Sequence, residues 1–258
     1  MPKLFVSGCS YSSYTGVDYP WGECLAPMLE YDYHHIAMGA GNNDRTWRIL
    51  SRMIMESEIT PDDLVIIQYT DLYRREFAAS AETYVPLVRD PKFDSRPGKP
   101  VPWIHKQQTP SGEVYTTNFK AHSHTWIGDP HSELHYIYEQ TALDPIWHIE
   151  HFISQHGMFK VFCDSHDIRL IILNSSYDGI THLKQPGQDI EQFYLSSDTH
   201  MVCAHDILWP EKSRSARHPY DLGHESSDGI TWDKSHLSQV GHIVLAEGIF
   251  EFIKQKNI

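Results

Sequence analysis

"KLFVSGCSYSSYTG" (Lys3–Gly16) holds a short, largely apolar run, a glycine that stops it, and a Cys-Ser pair just beyond. A brief continuous apolar run closed by glycine is the pattern of a strand buried on both faces that ends in a turn. Ser10 then falls past the strand's carboxyl end, where it is either an ordinary turn residue or a nucleophile.

Runs of the same kind recur at Tyr33–Ala37, followed by Gly39-Ala40-Gly41, at Leu64–Tyr69 ("LVIIQY"), and at Arg169–Leu173 ("RLIIL"). Helix-like segments lie between them. After the capping pair Asn42-Asn43, the residues Trp47, Leu50 and Ile54 share one stripe, and Arg45, Arg48 and Arg52 lie elsewhere, which predicts an amphipathic helix to about Glu56. A longer helical segment is expected over 131–166, interrupted near Pro145 and Gly157. The last helix is expected to start at a Ser238 cap and to bury Ile243, Ala246, Ile249, Phe250 and Ile253. Short buried strands alternating with helices are the signature of a βαβ-built α/β domain with a central parallel sheet.

Residues 78–130 differ in kind. Six of the fifteen prolines lie between Pro86 and Pro110, and Trp103, Tyr115, Phe119 and Trp126 are spread through the stretch without steady periodicity. So long a loop in a compact domain is usually functional or disordered, and its aromatics argue against disorder and for an ordered lid or substrate wall. A second irregular stretch, about 175–232, is expected over the carboxyl edge of the sheet. One domain over 1–258 with a lid-like insertion at about 78–130 accounts for the pattern.

Composition narrows the function. The formal net charge is −13 with neutral histidines and there is no Lys/Arg block, so a polyanion is repelled and nucleic acid is not expected as a partner. No signal-peptide core and no bilayer-spanning apolar run is visible, so the reading is a cytoplasmic protein with no membrane partner. Cys9, Cys24, Cys163 and Cys203 form no C-x-x-C pair and are read as free thiols.

The far end of the chain bears on Ser10. "WDKSHLSQVGHIVLAEGIF" places Asp233 and His236 three apart, immediately before the last helix. A serine hydroxyl becomes a useful nucleophile when an imidazole takes its proton, and that imidazole needs a carboxylate to fix its tautomer and steady its cationic form. The D-x-x-H spacing can meet that need within one loop.

With both ends in view, the chain resembles the SGNH (GDSL-like) hydrolase family. "SGCS" (Ser7–Ser10), "AMGAGNND" (Ala37–Asp44), "VIIQYTD" (Val65–Asp71) and "DKSHLSQVGH" (Asp233–His242) fall in the order of that family's four blocks. The match covers about half of the chain and leaves its middle unmatched. It implies a flavodoxin-like three-layer α/β/α sandwich and a serine esterase, often an acetylesterase acting on carbohydrate. It also implies Ser10 as nucleophile, His236 as general base and then acid, and Asp233 as its orienter.

The resemblance points to the backbone N–H groups of Ser10 and Gly41 as oxyanion donors. It departs at block III, where Thr70 stands at the usual asparagine and Gln68 at the usual glycine, and at block I, where Cys9 replaces the usual aspartate. Thr70 can donate through its hydroxyl, or Asn42 or Asn43 can substitute from block II. Asn43 is the preferred substitute, and helix capping is the competing role for both asparagines. Cys9 is read as a packing thiol.

Eighteen histidines raise a metal hypothesis. The clusters His122–His124 with Asp129 and His131, and His148 with His151, lack an identifiable third ligand and backing groups, so neither a metal nor a cofactor is expected. "TDLYRREF" places Asp71, Arg74 and Arg75 at the sheet edge where doubly wound folds bind ligands, against the alternative of internal pairing with Glu76. Trp103 can stack on a sugar ring. The expected partner is thus a small-molecule or glycan ester. The alternatives are a non-catalytic carbohydrate- or partner-binding protein on the same fold, or an acyltransferase using the same triad.

Overall fold

The computed structural model describes residues 1–14, 17–37, 42–70, 75–80, 104–109, 112–119, 145–174, 200–209 and 236–258. Side chains are described in these ranges except at 75–80, 104–109, 112–119, 145–149 and 205. In chain order the elements are β1 (Lys3–Ser7), a single 3₁₀ turn (Ser10–Ser12), α1 (Trp21–Leu29), β2 (Asp32–His35), α2 (Asn43–Met55) and β3 (Leu64–Tyr69). Then follow β4 (Arg75–Ser80), β5 (Ile104–Thr109), β6 (Gly112–Phe119), α3 (Pro145–Ser165), β7 (Arg169–Asn174), β8 (Met201–Cys203), α4 (Ala204–Leu208) and α5 (Gln239–Lys256).

Among the described residues, five strands form one sheet in the order β2-β1-β3-β7-β8, and each of their pairings is parallel. Counted along the chain, this is the 2-1-3-4-5 order of flavodoxin-like folds, whose ligand crevice opens outside the carboxyl ends of the first and third strands. Side chains alternate across each strand, and the core divides accordingly. Leu4, Val6, Leu64, Ile66, Ile171 and Leu173 pack with Trp21 and Leu25 of α1 and with Leu245, Ile249 and Ile253 of α5. Phe5, Val65, Ile67 and Ile172 pack on the other face with Trp47, Leu50 and Ile54 of α2 and Phe152 and Phe159 of α3. The result is the expected three-layer α/β/α sandwich.

Local chemistry fits these elements. Asn42 caps α2, its side chain accepting from the Arg45 N–H at 2.8 Å, and the expected Trp47–Leu50–Ile54 stripe is the buried one. Ser238 caps α5 by accepting from the Gly241 N–H at 3.1 Å. Gly22 lets α1 lie close on the sheet, since a Cβ there would meet Val6 Cγ2 at 2.7 Å and Tyr33 Cε2 at 2.8 Å.

Four details differ from the sequence reading. The run at 33–37 forms β2 at Asp32–His35, an edge strand whose side chains are mostly exposed, because only β1 flanks it. In the 131–166 segment, α3 starts at Pro145, where a missing N–H does no harm, and runs unbroken through Gly157. Among the described residues nothing lies within 4 Å of a Cβ at Gly157, and one glycine weakens a helix by only about 1 kcal/mol without ending it; residues 131–144 lie outside the described part. In α5 the buried face is His242, Leu245, Ala246, Ile249 and Ile253, spaced i, i+3, i+4, i+7 and i+11, so Ile243 sits off that stripe and is 42% exposed. Within and just before the insertion, where the sequence suggested an ordered lid or substrate wall and marked no strands, β4, β5 and β6 form an antiparallel sheet in the order β4-β6-β5.

Candidate active site

β1 ends at Ser7, Gly8 turns the chain, and Cys9 leads into the 3₁₀ turn whose first residue is Ser10. The Ser12 N–H donates to the Cys9 carbonyl at 3.0 Å, and the Ser13 N–H and Oγ both donate to the Ser10 carbonyl at 3.3 Å. Ser10 is half-buried at the carboxyl end of the sheet, and the first N–H groups of such a turn have no partner inside it. Gly8 is required by a close approach: a Cβ there would stand 2.8 Å from both Cβ and Oε1 of Gln68. The β3 side chain therefore slides beneath the serine turn.

Thr70 directly follows β3. Its N–H donates to Asn43 Oδ1 at 3.0 Å and its carbonyl accepts from Asn43 Nδ2 at 3.1 Å. The Asn43 amide thus pairs with the Thr70 backbone as a neighbouring strand would and fastens the start of α2 to the sheet edge. One of its two amide protons is used in that pairing. Ser7 Oγ and Thr46 Oγ1, buried and 3.1 Å apart, tie β1 to the same end of α2.

His236 lies just before α5 and is half-buried. Its ring packs on Tyr11, the residue after Ser10, with centroids 5.7 Å apart and planes tilted by 31°. The segment ahead of α5 therefore meets the serine turn through these two rings. Behind them His242, 1% exposed, accepts the Trp21 N–H on Nδ1 at 3.0 Å. Burial, helped by the nearby His236, pushes the His242 imidazole down to about 4.

That depression has a consequence for stability. Near pH 7 His242 is neutral in both folded and unfolded chains and contributes nothing. As pH falls through 6.5 the unfolded chain takes up a proton that the folded chain refuses until about pH 4. The folded state then loses up to about 3 kcal/mol across that window. Urea unfolding of the intact chain at pH 7 and pH 4.5 should show a larger drop for wild type than for His242→Gln. Equal drops would show that another group carries the acid sensitivity.

Of the residues singled out in the sequence, Asn43 and Thr70 pair with one another, and His236 meets Tyr11, the residue after Ser10. Asp233, Gly41, Asp71, Arg74 and Trp103 lie outside the described residues, as do His122–His124, Asp129 and His131. His151 Nε2 lies 3.2 Å from Asp44 Oδ1, and among the described residues no group of three or more histidines, cysteines or acids could hold a metal. Sequence reasoning passed over Tyr11, Ser12 and Trp21. The one available signal was the polar pair Ser12 and Ser13 set between aromatics.

No protein-family model matches the chain, and no curated protein matches it in sequence. Solved structures do. One is a protein assigned to the G-D-S-L lipolytic family from Desulfitobacterium hafniense DCB-2, at 9% identity over 97% of this chain and 99% of that one, with a TM-score of 0.53. Another is a psychrotrophic esterase from Pseudoalteromonas sp., inhibited by monoethylphosphonate, at 10% identity over 99% of this chain and 98% of that one, with a TM-score of 0.49. The first likeness shows a shared fold, in agreement with the sheet order described above. Among the described residues no helix is long and apolar enough to cross a membrane.

Proposed function

We propose that the chain is a serine ester hydrolase with Ser10 as nucleophile. The observation that carries the reading is the Tyr11–His236 ring contact, which joins the serine turn at the end of β1 to the histidine segment ahead of α5. His236 takes the Ser10 proton as Oγ bonds to the ester carbonyl carbon, and the carbonyl π electrons move to the oxygen. Collapse of that oxyanion expels the alcohol, which receives the proton from His236. Water, deprotonated by the same imidazole, then attacks the acyl-serine and releases the acid and free Ser10. Asp233 fixes the imidazole tautomer in this scheme.

The Ser10 and Gly41 N–H groups, the remaining Asn43 amide proton and the Thr70 hydroxyl are the candidate oxyanion donors. An acetyl ester on a carbohydrate fits the reading, with Asp71, Arg74 and Trp103 as substrate contacts at the sheet edge. A fluorophosphonate tests it: phosphonylation of Ser10 with loss of fluoride, found by peptide mass, together with turnover of p-nitrophenyl acetate, is the expected result. A well-folded chain that does neither is not a serine hydrolase.

A second reading has its own support. The Asn43 amide is engaged with the Thr70 backbone, which leaves fewer donors for an oxyanion and suits a carbohydrate- or partner-binding protein on the same fold. Binding of acetylated glycans without probe labelling favours it. An acyltransferase would label and then pass its acyl group to a glycan rather than to water.

A further inference from the structure

Four buried side chains connect the serine turn to the helix that follows His236. Gln68 Nε2 donates to Cys9 Sγ at 3.4 Å, and Gln68 Oε1 accepts from Ser12 Oγ at 2.7 Å. Ser12 Oγ accepts from the Trp21 indole N–H at 3.0 Å, and the Trp21 backbone N–H donates to His242 Nδ1 at 3.0 Å. Gln68 and His242 are 1% exposed, Ser12 and Trp21 not at all.

Proton accounting gives this relay a direction. An indole nitrogen only donates and a hydroxyl has one proton, so Ser12 receives from Trp21 and gives to Gln68. The Gln68 carbonyl is thereby turned to Ser12 and its NH₂ to Cys9. Trp21 opens α1, where the first amides have no partner within the helix, and the preceding residue Pro20 offers no side-chain cap. His242, from the first turn of α5, takes that place.

Each link joins a different segment: β3 to the 3₁₀ turn, the turn to α1, and α1 to α5. His236 sits two residues before the Ser238 cap of α5 and six before His242, so whatever fixes α5 against α1 also fixes the imidazole. Buried polar groups hold to such partners because no water is there to replace them.

We propose that the Gln68–Ser12–Trp21–His242 relay is a brace that sets Ser10 against His236, with Ser12 and Trp21 as positioning residues and Trp21 as the joint; the inference rests on the Ser10–His236 reading. Trp21→Phe keeps the ring and removes the indole N–H, and Ser12→Ala breaks the same chain with a smaller change of volume. Trp47→Phe is the control, since it removes an indole bond to Tyr69 Oη of similar length, 3.2 Å, on the opposite face of the sheet.

Two readouts decide. One is the second-order rate of Ser10 labelling by a fluorophosphonate, and the other is the NMR cross-peak between the Tyr11 and His236 rings. Either brace variant should label roughly 10–100-fold more slowly and weaken the cross-peak, and the double variant should be no slower than the slower single. Trp47→Phe should change neither readout. Labelling within twofold of wild type, or an equal loss in Trp47→Phe, overturns the brace. Should wild type itself fail to label, the nucleophile reading falls and the cross-peak alone decides: unchanged in both brace variants, it removes the brace as well.

Discussion

Ser10→Ala should reduce turnover of p-nitrophenyl acetate by about 10⁶-fold, the scale seen when a catalytic-triad nucleophile is removed. At about 1.4 kcal/mol per tenfold, this is a loss of about 8 kcal/mol of transition-state stabilisation. Stability should barely move, because Ser10 is half-buried and the Ser13 N–H and Oγ bond to its carbonyl, which alanine retains. Such a substitution normally stays within about 0.5 kcal/mol. The KM for residual turnover should also be near wild type, since the substitution removes one oxygen and leaves every backbone N–H in place. The measurement is steady-state hydrolysis with a matched thermal melt. A rate within tenfold of wild type, in protein with an unchanged melt, would move the chemistry away from this serine.

The frame that holds Ser10 was legible because its strands are fully buried. "KLFVS", "LVIIQY" and "RLIIL" stand out from their surroundings, and β3 is buried along its whole length. The edge strand β2 was harder to bound, since a mostly exposed strand carries no continuous apolar run. Strands β4–β6 were missed for a related reason. "IHKQQT" and "GEVYTTNF" are rich in polar residues, among them Lys and Gln with no preference for strands, and lack a clear apolar alternation. Their pairing is a matter of register between segments, which no local window contains.

The site divides in the same way. Ser10 and His236 could be named because motifs at the two ends of the chain each carry a local pattern. Gln68 was visible only as a misfit, a polar residue in an apolar strand where the family resemblance calls for glycine. Its partners explain the misfit: Gly8 makes room for it, and Ser12 and Cys9 use both ends of its amide. The bond from Trp21 to His242 spans 221 residues and leaves no periodicity to read. Asn43 shows the limit most plainly, because a capping residue and an oxyanion donor look alike in sequence. The structure finds Asn42 as the cap and Asn43 clamped to the backbone of Thr70.

His236→Ala should match Ser10→Ala in its loss of turnover, and the double variant should be scarcely slower than either single. Once the base is gone the hydroxyl keeps its proton, and once the hydroxyl is gone the base has nothing to activate, so the two losses are one loss counted twice. Asp233→Asn should be milder, about 10⁴-fold in kcat, because the imidazole remains but loses its orienting carboxylate. The ordering carries the argument. If His236 served only to pack against Tyr11, its alanine variant would disturb the serine turn, and its effect would grow or shrink with stability. If it is the base, adding small imidazole to His236→Ala should restore part of the rate without changing the melt, and should do nothing for Ser10→Ala. Rescue of both variants, or of neither while the double variant falls a further hundredfold, would mean that serine and histidine act independently and that no proton passes between them.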